Sequence, residues 1–66
     1  MKIRFTENCG FTLLDWAGCE QDESFMAGDI LEGKILADNG EYISFIDVDE
    51  RTIHGLMKSQ FEVVEE

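Results

Sequence analysis

The sequence predicts an all-β fold, a single small barrel of five to six short antiparallel strands with one 3₁₀ turn. Three observations carry that expectation. Six glycines, at positions 10, 18, 28, 33, 40 and 55, punctuate the chain at intervals suited to short strands, and there is no proline. Several of the runs between them alternate polar and apolar residues with a period of two. No helical apolar pattern persists beyond about two turns, which is too short for a stable helix.

Taken in order, Lys2-Ile3-Arg4-Phe5-Thr6-Glu7 sets Ile3 and Phe5 on one face of a half-buried strand. Phe11 to Trp16 is a second apolar run, less regular in its alternation. Asp29 to Ala37 is a third, and Gly33 within it marks a bulge or sharp bend. Asp38-Asn39-Gly40 is the strongest local signal, because Asn-Gly tolerates the positive φ that a type I′ turn demands at both central residues. It is expected to join Lys34–Ala37 to Glu41–Asp47, where Tyr42 and Ser44 share one face and Ile43 and Phe45 the other. The acidic turn Asp47-Val48-Asp49-Glu50 then leads into a returning strand, Arg51–His54. Ile53, Leu56, Met57 and Phe61 lie near helical spacing, but Gly55 and the shortness of the segment favour a 3₁₀ turn over Gly55–Gln60. Phe61-Glu62-Val63-Val64 completes the set as a short final strand.

Sixty-six residues accommodate one domain, residues 1–66, and the 44% of apolar residues supply one small core. Five Lys and Arg against fifteen Asp and Glu give a formal charge of −10 and a pI near 4.2. Such a field repels phosphate backbones and anionic lipid surfaces, so neither direct nucleic-acid binding nor membrane binding is expected. No window approaches the ~20 apolar residues of a membrane span, and Met1-Lys2-Ile3-Arg4 lacks the apolar region of a secretory signal. The expected setting is the cytoplasm, where Cys9 and Cys19 stay as free thiols.

The order of segments resembles that of the SH3 domain. Thr12-Leu13-Leu14-Asp15-Trp16 is similar to the family's opening Ala-Leu-Tyr-Asp-Tyr motif. Asp22-Glu23-Ser24-Phe25-Met26-Ala27-Gly28-Asp29-Ile30-Leu31 matches its acidic pair, apolar pair and Gly-Asp followed by aliphatics. The Asn39-Gly40 hairpin corresponds to the loop before the family's Trp-Trp strand, and Gly55-Leu56-Met57-Lys58-Ser59-Gln60-Phe61 to its Gly-Leu-aromatic-Pro-Ser-Asn-Tyr stretch. The likeness spans residues 12–64 and leaves 1–11 as an extra N-terminal strand. It implies an SH3-like barrel with a peptide-binding surface, for which the family uses an aromatic shelf that accepts polyproline II segments. That shelf is altered here: Leu14 stands for the first Tyr, Glu41 for the ligand-contacting Trp, Lys58 for the shelf Pro and Phe61 for the last Tyr, while Trp16 keeps an aromatic. Charged Glu41 and Lys58 supply no apolar groove for proline rings, so the proline-rich site is expected to be lost or repurposed.

Catalytic and metal chemistry finds little support. His54 is the only histidine, and no triad spacing or nucleophile elbow surrounds Cys9, Cys19, Ser44 or Ser59. Cys9, Cys19 and His54 lack the ligand spacing of zinc sites. Asp47-Val48-Asp49-Glu50 lacks the Gly and distal Glu of a calcium loop. No glycine-rich loop opens a helix toward a phosphate. The chain is expected to be non-enzymatic and to need no cofactor.

Small size should bury Phe25, Met26 and Phe61 and leave Trp16, with Tyr42 and Met57, partly exposed. The function expected is a protein-interaction module that binds a basic protein segment. Its contact surface combines Trp16 and the loop residues Glu20, Asp22 and Glu23 with Glu41, Tyr42, Lys58 and Phe61, since these positions match the family's groove and acidic specificity loop. The alternative is an acidic decoy or inhibitor of a nucleic-acid-binding protein, of viral or mobile-element type. A homodimer formed through Lys2–Glu7 as an edge strand is a third expectation.

Overall fold

The computed structural model describes residues 1–66 and is all-β. Seven strands appear in chain order: β1 (Lys2–Phe5), β2 (Cys9–Leu14), β3 (Glu20–Phe25), β4 (Ile30–Asp38), β5 (Tyr42–Asp47), β6 (Thr52–Met57) and β7 (Phe61–Glu65). A 3₁₀ turn, Lys58–Gln60, separates β6 from β7, within the Gly55–Gln60 segment expected to hold one. The strands form one antiparallel sheet in the order β3-β2-β6-β5-β4-β1-β7.

Seven strands rather than five or six form because the acidic segment Glu20–Phe25, expected as a loop, pairs with β2 along its whole length, from Cys9↔Phe25 to Leu14↔Glu20. The sheet is not closed by hydrogen bonds: β3 and β7 each have one neighbour. It is nonetheless rolled. Phe5 of β1 stacks on Phe25 of β3 with ring centroids 4.4 Å apart, although four strands lie between them in the sheet order. The roll is fixed at β4, whose first residues pair with β1 (Lys2↔Glu32 to Arg4↔Ile30) and whose later ones pair with β5 (Gly33↔Asp47 to Asp38↔Ile43). Backbone bonds from Phe5 N–H to Asp29 O, 2.9 Å, and from Gly28 N–H to Phe5 O, 2.8 Å, tie the β3–β4 turn to β1.

The alternation read from the sequence sets the core. Ile3, Phe5, Leu13, Phe25, Ile43, Phe45, Ile53 and Leu56 form one buried cluster, flanked by half-buried Met1, Cys9, Phe11, Leu31 and Phe61. Tyr42 and Met57, opposite each other in register, stay outside, as expected. Met26, expected in the core, lies instead in the β3–β4 turn and is exposed.

Four further expectations change. The β4–β5 turn is centred on Gly40 and Glu41, one residue later than Asn39-Gly40. Only Gly40 has positive φ (94°), the pattern of a type II′ turn rather than I′. Asp38 Oδ1 accepts the Gly40 N–H at 2.8 Å and Tyr42 O accepts the Asn39 N–H at 2.9 Å, so these bonds hold the turn in this frame. The bulge, one of the two readings of Gly33, falls instead between Ile35 and Ala37, while Gly33 sits where β4 passes from β1 to β5 and where an added Cβ would overlap the Ile46 and Asp47 backbone. Gly55 does not end its strand, because at φ 78° it bulges between the pairs Ser44↔His54 and Ile43↔Leu56 and β6 runs on to Met57. Finally, β1 is not an edge. It lies between β4 and β7, so Lys2–Glu7 offers no free edge for a second copy.

Candidate functional site

The expected contact residues fall into two groups at opposite ends of β6. Leu14, two residues before Trp16, faces Thr52 at the start of β6, whereas Tyr42 faces Met57 at its end, next to Lys58. At ~3.3 Å per strand residue the two ends are ~16 Å apart. Trp16, Glu20, Asp22 and Glu23 therefore belong to the β2–β3 hairpin, and Glu41, Tyr42 and Lys58 to the β4–β5 and β6 ends.

In the second group Lys58 is already engaged, whereas the Glu41 carboxylate makes no ion pair. Lys58 Nζ lies 2.9 Å from Asp38 Oδ2, and the Lys58 N–H donates to Glu41 O at 2.9 Å. The Gly40 N–H and then the Lys58 side chain hold the Asp38 carboxyl below its ordinary pKa. Phe61 belongs to neither group: it pairs with Phe5 and packs half-buried against the core.

The hairpin end is different. Its turn is built by Asp15, whose Oδ1 accepts the N–H groups of Ala17 and Cys19 at 2.9 and 2.8 Å, while Gly18 takes φ 81°. That turn leaves no room for Trp16 inside, and its side chain stands 81% exposed. Along β3, Glu20, Asp22 and Ser24 point outward, while Gln21, Glu23 and Phe25 share the other face. Asp22 Oδ1 accepts the Thr12 hydroxyl at 2.9 Å. Glu23 Oε2 accepts from Arg51 Nη1 at 2.7 Å, which ties the hairpin to the β5–β6 turn. A shallow groove of about 300 Å³ runs over Gly10, Phe11, Thr12, Asp22, Glu23 and Ser24.

Charge is distributed unevenly. Lys2, Arg4, Arg51 and Lys58 all make ion pairs, with Glu65, Glu62, the Glu23–Asp47–Asp49 group and Asp38 respectively, and Lys34 alone makes none. No lysine or arginine occurs between Arg4 and Lys34, a stretch that carries Glu7, Asp15, Glu20, Asp22, Glu23, Asp29 and Glu32. Of these only Glu23 has a cation partner, so Asp15, Glu20 and Asp22 of the hairpin make no ion pair; Glu41, Glu50 and Glu66 elsewhere make none either.

Arg51 is the junction that sequence reasoning missed. Asp47 is the one buried polar residue, its Oδ1 accepting the Asp49 and Arg51 N–H groups at 2.9 Å each and its Oδ2 accepting Arg51 Nε at 3.0 Å. Burial of the guanidinium opposes its charge, but Asp47, Glu23 and Asp49 together outweigh it and raise the Arg51 pKa. Asp47 and Asp49 of the acidic turn thus organise the β5–β6 connection, with Glu50 at φ 62°. A carboxylate four residues before an arginine around a turn is the signal that could have shown this.

Ser44 and His54 are cross-strand neighbours, Ser44 Oγ lying 3.1 Å from His54 Nδ1. No carboxylate orients the ring in that network, and neither of the two surface cavities is lined by either residue. Cys9 and Cys19 are free, Cys9 facing Phe25 at the start of β2 and Cys19 in the turn at its other end. Desolvation, and then the nearby Glu7, raises the Cys9 pKa. No His, Cys, Asp and Glu side chains gather in groups of three or more that could hold a metal ion. No helix is long and apolar enough to cross a membrane. No protein-family model, no curated protein and no solved structure matches this chain.

Proposed function

We propose that this small all-β domain is a non-enzymatic interaction module that binds a basic protein segment on the β2–β3 hairpin. The observation that carries this reading is a hairpin without Lys or Arg of its own, with Trp16 projecting from its turn, Glu20 and Asp22 outward along β3 and unpaired, Arg51 engaged only at Glu23, and Lys2, Arg4 and Lys58 paired elsewhere. Carboxylates steer a positively charged partner, and an exposed indole adds apolar area and a cation–π face for Lys or Arg. Pairing of Lys2, Arg4 and Lys58 makes the surface mixed, which favours a local recognition site over an acidic decoy that presents one continuous anionic face. The SH3-like reading enters here as well: a 3₁₀ turn before the last strand supports it, and the rolled sheet fits an open version of that barrel. Free Cys9 and Cys19 support a cytoplasmic setting.

Fluorescence anisotropy with a labelled lysine-rich peptide tests the proposal. Affinity should fall steeply from about 20 to 200 mM salt, since exposed charges are screened over ~10 Å at 0.1 M. The double variant Glu20→Lys/Asp22→Lys should weaken binding at least ten-fold, and Trp16→Ala about two- to five-fold, in keeping with ~0.5–1 kcal/mol for an exposed cation–π contact. Binding that ignores salt and both variants would overturn it.

A further inference from the structure

Resting on that reading, we infer that the basic segment is captured by strand addition, docking as an extended strand along the outer edge of β3. The edge is open. Beyond its ladder with β2, the Glu20–Ser24 backbone takes part in none of the hydrogen bonds formed in turns and loops, and β3 ends the sheet order. In an antiparallel pair, residues that exchange hydrogen bonds alternate with residues that do not. The 3.0 Å bond from Asp15 N–H to Cys19 O closes the hairpin at a bonded position. Counting along the unbroken register, Leu13↔Gln21, Phe11↔Glu23 and Cys9↔Phe25 are bonded pairs, so Glu20, Asp22 and Ser24 turn their N–H and C=O groups away from β2.

This edge has none of the usual protections: no proline, no lysine and no bulge in its pairing with β2. Negative charge is its remaining guard, and that guard selects the occupant. A second copy would bring Glu20, Asp22 and Glu23 against their own counterparts, and like charges across strands destabilise pairing. A strand with Lys or Arg at alternate positions meets the opposite condition. The other edge, β7, is not equivalent, because its Glu62 and Glu65 are already paired by Arg4 and Lys2.

Two labelled synthetic hexapeptides of alternating lysine and valine test this, one unmodified and one methylated at every backbone nitrogen, so that charge is the same and ladder donors are absent. At low salt the unmodified peptide should bind the full chain at least ten-fold more tightly than the methylated one. Ser24→Pro, which removes an outward N–H without altering charge or the β2 ladder, should bring the unmodified peptide's affinity down to that of the methylated peptide. Equal binding of the two peptides would overturn strand addition while leaving the basic-segment reading intact; failure of both to bind at low salt would remove that reading and strand addition with it. Should Ser24→Pro lose its β-sheet circular dichroism, the comparison of the two peptides on the unaltered chain decides the question alone.

Discussion

Replacing Gly33 by alanine puts a methyl group where β4 and β5 leave none. A Cβ built there lies 2.8 Å from Asp47 Cα and from the Ile46 carbonyl carbon, with the Ile46 carbonyl oxygen closer still. These are backbone atoms held in the pairs Gly33↔Asp47 and Lys34↔Ile46, so no side-chain rotation relieves the overlap. Relief requires β4 to move about 1 Å from β5, which weakens roughly two ladder bonds at ~1 kcal/mol each and loosens the neighbouring packing. The cost is about 2–4 kcal/mol, a large share of the ~3–10 kcal/mol expected for a domain of this size. A shift of ~4–8 °C per kcal/mol makes this a fall of roughly 10–30 °C in Tm. Gly10→Ala is the internal control, since its nearest neighbours are 3.8 Å away. It should be neutral or raise stability by up to ~1 kcal/mol through the lost flexibility of glycine. Thermal and urea unfolding followed by circular dichroism reads both variants. A Gly33→Ala protein within about 0.5 kcal/mol of the parent would refute the reasoning, because it would mean the strands do not approach as described.

Other predictions follow from the site. Arg51→Ala leaves buried Asp47 without its guanidinium and frees Glu23, and should cost about 2 kcal/mol after allowance for the partial exposure of the arginine, with Arg51→Lys between the two in urea melts. Unchanged melting would contradict the junction. Trp16→Ala should leave stability within about 0.5 kcal/mol, whereas Phe5→Ala, in the centre of the core, should cost about 3–5 kcal/mol and leave little folded protein. Cys9 should react with a thiol reagent more slowly than Cys19 at mildly alkaline pH. Cys9 is half-buried with a raised pKa, and Cys19 is exposed in a turn; mass spectrometry of partial labelling reads the order, and equal rates would count against the placement of Cys9.

Much of the fold was legible because a period of two is written directly into it. Ile3 and Phe5, and Ile43 and Phe45, are buried as their alternation predicts, and a 3₁₀ turn falls at Lys58–Gln60 within the expected segment, although Ile53, Leu56 and Met57 lie in β6 and Phe61 in β7 on either side of it. β3 escaped for the opposite reason. Its inward face offers Gln21 and Glu23 before Phe25, so the segment Glu-Gln-Asp-Glu-Ser carries no apolar stripe, and only its ladder with β2 and the Arg51–Glu23 contact make it a strand. The β4–β5 turn shifted by one residue because Asp38 and Tyr42 bind specific backbone N–H groups, and those bonds outweigh the dipeptide preference of Asn-Gly.

For the site, the acidic character of Glu20–Glu23 and the exposure of Trp16 could be read from composition and order. Their separation from Tyr42 and Lys58 could not, since it depends on which ends of β6 face β2 and β5. The same is true of Ser44 and His54, whose distance of 3.1 Å arises from cross-strand register rather than from any pattern along the chain. Strand order is a tertiary quantity, and local periodicity carries no information about it.

The central claim, that the anionic β2–β3 hairpin is the recognition surface, is tested most directly by an amide chemical-shift titration of the labelled chain with an arginine- and lysine-rich peptide. The account predicts saturable shifts concentrated at Trp16 and Glu20–Ser24 that fade as salt is added. Shifts confined to β1 and β7, or their absence at low salt, would contradict it.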